Sequence, residues 1–263
     1  MKTENSKTVV LKFGGSALKT PDCFAKVSDL IIRKQMHFSN IVVVVSAMRG
    51  MTDELISLAY KVHPFPPKRE YDMLVSAGER ISIALLAMSL ASKGVPAVSF
   101  TGSQSGIITT CDHTDAQIVS VSPQRILISL EEGKVVIVAG FQGMSEKKEI
   151  TTLGRGGSDT TAVALAGAVG ASHVEFYKDV PGIYREDCVI LSSLTYEEAL
   201  EVVAKTGGQV VAPRAIKFAQ QRDIPLYVRS FFLEDQGGTK ISNHVEGQNN
   251  ENKQNYNALC RSG

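Results

Sequence analysis

What most constrains this chain is a recurring unit: a short unbroken apolar run, a break of small residues, then a stretch with helical apolar spacing. Thr8–Phe13 (TVVLKF) is followed by Gly14, Gly15 and Ser16, then by Pro21–Gln35, where Phe24, Val27, Leu30 and Ile31 fall on one helical face. Residues 40–46 (NIVVVVS) form a second such run, and 95–100, 134–139, 174–177 and 225–229 read as further strands. Helical spacing marks 70–93 as one long helix ended by Gly94, and marks the alanine-rich 158–169, Tyr196–Thr206 and 213–221 as helices. Strands that are apolar throughout, rather than alternating, are buried on both faces. Their alternation with helices predicts an α/β fold with a mostly parallel sheet between helical layers. Ligands bind such sheets at the carboxyl ends of the strands, so the functional residues belong just after the apolar runs.

The 263 residues are 43% hydrophobic and 21% charged, enough to build a sizeable core. At roughly 100–200 residues per domain, this length suits one large domain or two small ones. With 28 basic against 27 acidic side chains, the net charge of +1 argues against a broad nucleic-acid footprint or an anionic-membrane binder. It leaves room for one anionic ligand in a local pocket. Cys23, Cys111, Cys188 and Cys260 form no CxxC pair and read as free thiols of a reducing compartment. The polar first seven residues give no secretory signal, and no apolar run approaches the ~20 residues of a membrane span. The expectation is a cytoplasmic protein with no membrane or nucleic-acid partner. Residues 1–242 are expected to form the folded body and the asparagine-rich 243–263 a disordered tail.

Two segments carry chemistry on their own residues. Lys12 ends the first strand beside Gly14 and Gly15. Glycines let backbone N–H groups approach an anion, and the lysine adds a point charge, so the segment suits phosphate about as well as it suits a plain turn. Residues 153–162 (LGRGGSDTTA) hold three glycines within four positions, then Ser158 and Asp159 at the start of a helix. A capped helix needs neither the glycine pair nor Arg155, whose guanidinium can clasp a carboxylate with two parallel bonds. Other segments are bland when taken alone. Glu79, in the helical run SAGER, reads as a solvated helix charge, with Gly78 there for helix packing or a ligand. Ser46–Asp53 reads as a turn into a capped helix, and the segment 177–184 (YKDVPGIY) as a surface turn. The five scattered histidines show no metal or triad spacing.

In order, KFGGS, VVVVSAM…TD, SAGER, VAGFQG, TTLGRGGSDTTAVALA and YKDVPGIY make a set that resembles the aspartate kinase branch of the amino acid kinase family. The resemblance runs from Lys12 to about Thr239. It implies a three-layer α/β/α sandwich on an eight-stranded, mostly parallel sheet, with the amino acid held by the N-terminal half and ATP by the C-terminal half. It implies phosphorylation of the L-aspartate β-carboxylate by Mg²⁺-ATP, the step toward lysine (through diaminopimelate), threonine and methionine. Carried over residue by residue, Lys12 is the catalytic lysine and Asp159 orients it. Arg155 holds a substrate carboxylate and Glu79 the amino group, with Ser46, Thr52 and Ser158 as further substrate contacts. Lys12, Phe13, Gly14, Gly15, Lys178, Asp179, Tyr184, Arg185 and Gln209 fall on the nucleotide side. No metal ligand is assigned, because Mg²⁺ would bridge phosphate oxygens.

The resembled pattern TDVDGVYTADPR reads KDVPGIYREDCV here, and GAKVLHPR reads GGQVVAPR. A threonine thus becomes Lys178, and a lysine becomes Gln209. Most of the resembled family continues into two ACT regulatory domains. This sequence ends at Gly263 without them, so the resemblance implies a catalytic domain alone, expected as a homodimer, with a separate regulatory subunit or a truncated chain as open readings. Two other functions stand beside aspartate kinase: a related kinase of another small amino acid, and a catalytically silent nucleotide-binding regulator.

Overall fold

The computed structural model describes residues 7–184, 189–206, 210–233 and 237–243. The strands are β1 (Thr8–Phe13), β2 (Asn40–Val45), β3 (Ala97–Phe100), β4 (Ile107–Thr109), β5 (Ile118–Val121), β6 (Val135–Ala139), β7 (Gln142–Ser145), β8 (Ile150–Thr152), β9 (Val174–Lys178), β10 (Ser193–Leu194), β11 (Leu226–Ser230) and β12 (Thr239–Ile241). Between them run α1 (Pro21–Gln35), α2 (Met51–Val62), α3 (Lys68–Val75), α4 (Ala77–Ser92), α5 (Gln124–Glu131), α6 (Gly157–Val169), α7 (Tyr196–Thr206) and α8 (Pro213–Arg222).

Eight strands form the main sheet in the order β10-β12-β11-β9-β1-β2-β6-β3. Its pairs are parallel, except that β12 runs antiparallel to β11. The expected eight-stranded, mostly parallel architecture is therefore the one observed. β1 is buried at every position, as a continuous apolar run requires when both faces are covered. Val9, Leu11 and Phe13 face α1 and α4, packing with Leu30, Ile31, Leu86 and Leu90. Val10 faces the opposite way, toward Ala162, Val163 and Ala166 of α6, with α7 and α8 extending that layer. Lys12 shares this second face, because side chains alternate along a strand. Each fully buried aliphatic side chain contributes about 1.5–3 kcal/mol, so these two layers hold the sheet and fix its register.

Three readings change. The long helix expected over 70–93 is two helices, α3 and α4, parted at Ser76, whose carbonyl accepts a bond from Gln142 Nε2 (2.8 Å). Periodicity continues across the break, which is why spacing alone did not reveal it. The stretch Lys68–Ser92 is long and apolar enough to cross a membrane by length and composition, yet Ile83, Leu86 and Leu90 pack it onto the sheet. A second, four-stranded sheet, β5-β4-β7-β8, also goes beyond the expected elements. Its strands are only three or four residues long, and β7 and β8 mix in Gln, Gly, Ser and Thr, so they carry no sustained apolar-run signal.

Candidate active site

In register, Phe13 of β1 lies beside Val45 of β2 and Tyr177 of β9, and Val45 lies beside Ala139 of β6. These four strands end together, and the turns that leave them carry most of the candidate residues. The β1 turn enters a short 3-10 segment, Gly15–Leu18, while Ser46 N–H donates back to the Phe13 carbonyl (3.1 Å). A Cβ on Gly14 would stand 3.7 Å from Lys12 Nζ, so glycine there leaves open the space beside the ammonium. A Cβ on Gly15 would press to 3.0 Å from the Ala47 carbonyl oxygen, which keeps this turn against the β2 turn.

Opposite them begins α6, capped by Gly156 in the left-handed region (φ +75). Its first turn presents Asp159, whose carboxylate is the hub of the site. Lys12 Nζ lies 2.7 Å from it, with the two side chains only 6% and 7% exposed. Lys178, at the end of β9, reaches the same carboxylate at 3.2 Å, and Ala212 N–H donates to Oδ2 (3.1 Å). Burial alone would raise the Asp159 pKa, but the two ammonium groups and the N–H hold it well below the usual carboxylate range. Burial, aided by the Lys12 charge, brings the Lys178 ammonium down to about 8, while Asp159 opposes the shift. Two buried cations thus share one carboxylate.

Glu79 is the second buried acid. Its reading as a solvated charge is overturned, for it is 3% exposed in the first turn of α4. Oε1 accepts the Ala47 N–H at the end of β2 (3.0 Å), and Oε2 has no hydrogen-bond partner. Burial pushes this carboxyl up to about 7, against backbone hydrogen bonds from Ala47 and Glu79 itself and the charge of Lys12. Gly78 makes the approach possible: a Cβ there would meet the Ala47 Cβ at 2.8 Å.

Arg155 stands exposed between Gly154 and Gly156, both at positive φ. The loop around it is braced on two sides. Arg214 donates to the Leu153 carbonyl and to Asp115 Oδ1, each at 3.1 Å. Asp72, fully buried on α3, accepts from Thr152 Oγ1 (2.6 Å), Thr152 N–H (3.2 Å) and Thr114 N–H (3.1 Å), and pairs with His113 Nδ1 (2.7 Å). Ser158 Oγ packs under Gly140 at the end of β6, where a Cβ would come within 2.8 Å of it. Half-buried Thr52 lies in the first turn of α2.

On the other side, Asp179 is exposed just past β9, and Tyr184 makes an isolated antiparallel bridge with Ile190. Phe13 is a core residue, fully buried and stacked on Tyr177 at 4.9 Å, so only its backbone faces the turn. Arg185 and Gln209 lie outside the described residues, as do 244–263 of the expected tail.

The structure therefore joins Lys12, Asp159 and Lys178 directly, and sets Glu79 within the field of Lys12. Asp72, Asp115, Arg214 and the Ala212 N–H are supporting groups that the sequence did not single out. Only Ala212 and Arg214 had a signal, as part of the APR run. Among the described residues no three of His, Cys, Asp and Glu gather to hold a metal ion. The whole can seat an anion against two ammonium groups and glycine turns, with an unsatisfied carboxylate oxygen alongside.

A model of the amino acid kinase family matches residues 7–230. An aspartokinase of Mycobacterium tuberculosis is 48% identical over 245 residues, covering 90% of this chain and 58% of that protein. Among solved structures, aspartate kinase from Synechocystis superposes with a TM-score of 0.80 at 42% identity, over 92% of this chain and 40% of that one. E. coli aspartokinase III in complex with aspartate and ADP superposes with a TM-score of 0.82 at 28% identity, over 92% and 66%. The chain thus spans about three-fifths of the length of the curated relative it matches.

Proposed function

We propose, for a chain that belongs to the amino acid kinase family, that it transfers the γ-phosphoryl group of ATP to the β-carboxylate of L-aspartate, giving 4-phospho-L-aspartate and ADP. The observation that carries the choice of acceptor is Glu79. A buried carboxylate with one oxygen unpartnered is costly on its own, and an α-ammonium group completes it. Relatives named aspartokinase, and one solved with aspartate and ADP, support the same reading.

The acceptor carboxylate is already ionised at neutral pH, so no general base is needed. The difficulty is bringing two anions together and spreading charge over the phosphoryl group in flight. Lys12 meets that charge, and Asp159 holds its ammonium in place. Backbone N–H groups at Gly14 and Gly15 cradle phosphate oxygens. Arg155 takes the α-carboxylate, with Ser46, Thr52 and Ser158 as polar neighbours. Asp179 and Tyr184 belong to the nucleotide side, where the sequence also puts Arg185 and Gln209.

Magnesium fits this centre as a partner of the nucleotide's own oxygens, because Asp159 is already committed to Lys12, Lys178 and the Ala212 N–H. Bound there, the ion neutralises phosphate charge. The test is hydroxamate formation with Mg²⁺-ATP and L-aspartate, set beside ADP release with glutamate, N-acetylglutamate and no acceptor. Aspartyl hydroxamate formed only with aspartate is the expected result. Equal ADP release without aspartate would overturn the reading.

A further inference from the structure

β9 lies beside β1 in the sheet, and Phe176 of β9 is in register with Lys12. Lys178 comes two residues after Phe176, so it leaves the sheet on the same face one step nearer the strand end. Its Nζ sits 5.7 Å from the centre of the Phe176 ring and 3.2 Å from Asp159. The ammonium groups of Lys12 and Lys178 therefore converge on one carboxylate, with the three side chains 6%, 13% and 7% exposed. Two buried ammonium groups converge on this one carboxylate, while Glu79 acts on Lys12 and Asp179 on Lys178 only through the field, so a further anion between the two cations is favourable. A structural salt bridge needs one lysine, and the second is surplus to it.

The sequence bears on the same point. In the resembled pattern TDVDG the position of Lys178 is a threonine, and in GAKVLHPR the position of Gln209 is a lysine. Three positions later in the sequence stands Ala212, whose N–H donates to the Asp159 carboxylate. Across the two patterns lysine and arginine are absent at 209 and 189 and present at 178 and 185, and of the two gained cations Lys178 is the one seen at Asp159. We propose that Lys178 is a second phosphate-binding cation of the transfer centre, taking up from β9 the charge that the resembled pattern carries at position 209. Its ligand is the terminal phosphate pair of a nucleoside di- or triphosphate, and the inference rests on the nucleotide half of the function proposed above.

The experiment is calorimetric titration with MgADP, alongside steady-state kinetics, of the parent protein, Lys178→Thr, Lys178→Met and the double variant Lys178→Thr with Gln209→Lys. Both single variants are expected to bind MgADP at least ~10-fold more weakly and to lose at least as much in kcat, with KM for the acceptor within twofold. Lys178→Met keeps the apolar stem over Phe176, so a loss it shares with Lys178→Thr reports charge rather than packing. Lysine restored at 209 is expected to recover most of the affinity. MgADP binding within twofold of the parent in both single variants would overturn the proposal, and failure of the double variant to recover would overturn the transfer of charge from 209. Nucleotide titration needs no acceptor. A parent that binds MgADP through Lys178 but makes no aspartyl hydroxamate would refute the aspartate reading and leave this one standing.

Discussion

Lys12 and Asp159 meet at 2.7 Å across the gap between the end of β1 and the first turn of α6, where neither side chain is more than 7% exposed. The pair is unequal. Removing Lys12 leaves Asp159 with Lys178 and the Ala212 N–H, so its charge remains compensated. Lys12→Ala is expected to fold, with a melting temperature within a few degrees of the parent, while turnover falls more than ~100-fold. Retained turnover in the hydroxamate assay would remove Lys12 from the chemistry.

Removing the acid is worse for the fold. Asp159→Asn strands two buried ammonium groups around a neutral amide, and breaking a buried pair in this way costs about 3–5 kcal/mol. Because its folded pKa is depressed, Asp159 contributes stability above the ordinary carboxylate range, and that contribution is lost as pH falls through that range toward the folded value. Urea denaturation at neutral pH is expected to show a clear loss of stability in the variant, and a smaller difference from the parent at strongly acid pH.

The Glu79 carboxyl, raised to about 7 by burial, makes amino-acid binding pH-dependent near neutrality. An ammonium group needs the carboxylate, so KM for aspartate is expected to rise roughly tenfold per unit as pH drops below about 7, with kcat changing less. The charged groups acting on it are Lys12 and the N–H dipoles of Ala47 and of its own helix turn. For stability without substrate the sign is opposite to that of Asp159. A raised acid favours the folded state while protonated, and that contribution is lost as pH climbs from the usual glutamate range through about 7. Glu79→Gln is expected to raise KM at least ~100-fold, to flatten its pH dependence, and to melt higher than the parent at pH 8.5 when aspartate is absent. A parent KM that stays flat between pH 6 and 8 would refute this role.

Gly156 ties the glycine-rich loop to the hub. Its φ is +75, and an added Cβ would fall 2.4 Å from the Ala212 Cβ. Ala212 is the residue whose N–H holds Asp159. Gly156→Ala is therefore expected to destabilise the fold by about 1–2 kcal/mol through backbone strain, and to lower kcat at least ~10-fold by shifting Ala212. A stability loss with unchanged kcat would separate the loop from the catalytic geometry.

How far the sequence could be read follows from what each element looks like locally. β1, β2 and β6 are nearly unbroken apolar runs, and burial between two layers explains such runs, so the parallel sheet and its ligand-bearing end were legible. Arg155 and Asp159 stood out because a capped helix needs neither an arginine nor a glycine pair before it, whereas Lys12 beside Gly14 and Gly15 suited a plain turn as well as a phosphate until the whole set of motifs was read together. Glu79 did not stand out. Its burial depends on Gly78 letting α4 close onto Ala47, a contact across 32 residues that no local pattern encodes. The convergence of Lys178 on Asp159 is likewise a product of strand order, since β9 is far from β1 in sequence and adjacent in the sheet. The small sheet escaped because its strands are three or four residues long, too short to show a period, even though Ile107, Ile118 and Val121 pack on the core and Asp72 ties down Thr152 of β8.

Asp72 yields the last prediction. It sits on α3, wholly buried, and gathers His113 and Thr114 from one loop and Thr152 from the end of β8. Thr152 leads directly into the loop that carries Arg155, and Thr114 holds an unusual positive φ of 75 beside Asp115, which Arg214 braces. Asp72→Ala would leave the buried Thr152 N–H without an acceptor, at about 1–3 kcal/mol, and would release the half-buried Thr114 N–H as well. The expected result is a loss of about 3 kcal/mol in stability. Below the melting transition, KM for aspartate is expected to rise through the loosened Arg155 loop, while MgADP affinity, which depends on Lys12 and the β9 side, stays within twofold. Asp72→Asn keeps one acceptor oxygen and is expected to fall between the two. Equal loss of MgADP and aspartate binding in both variants, under conditions where each is folded, would show that Asp72 supports the whole site rather than this loop.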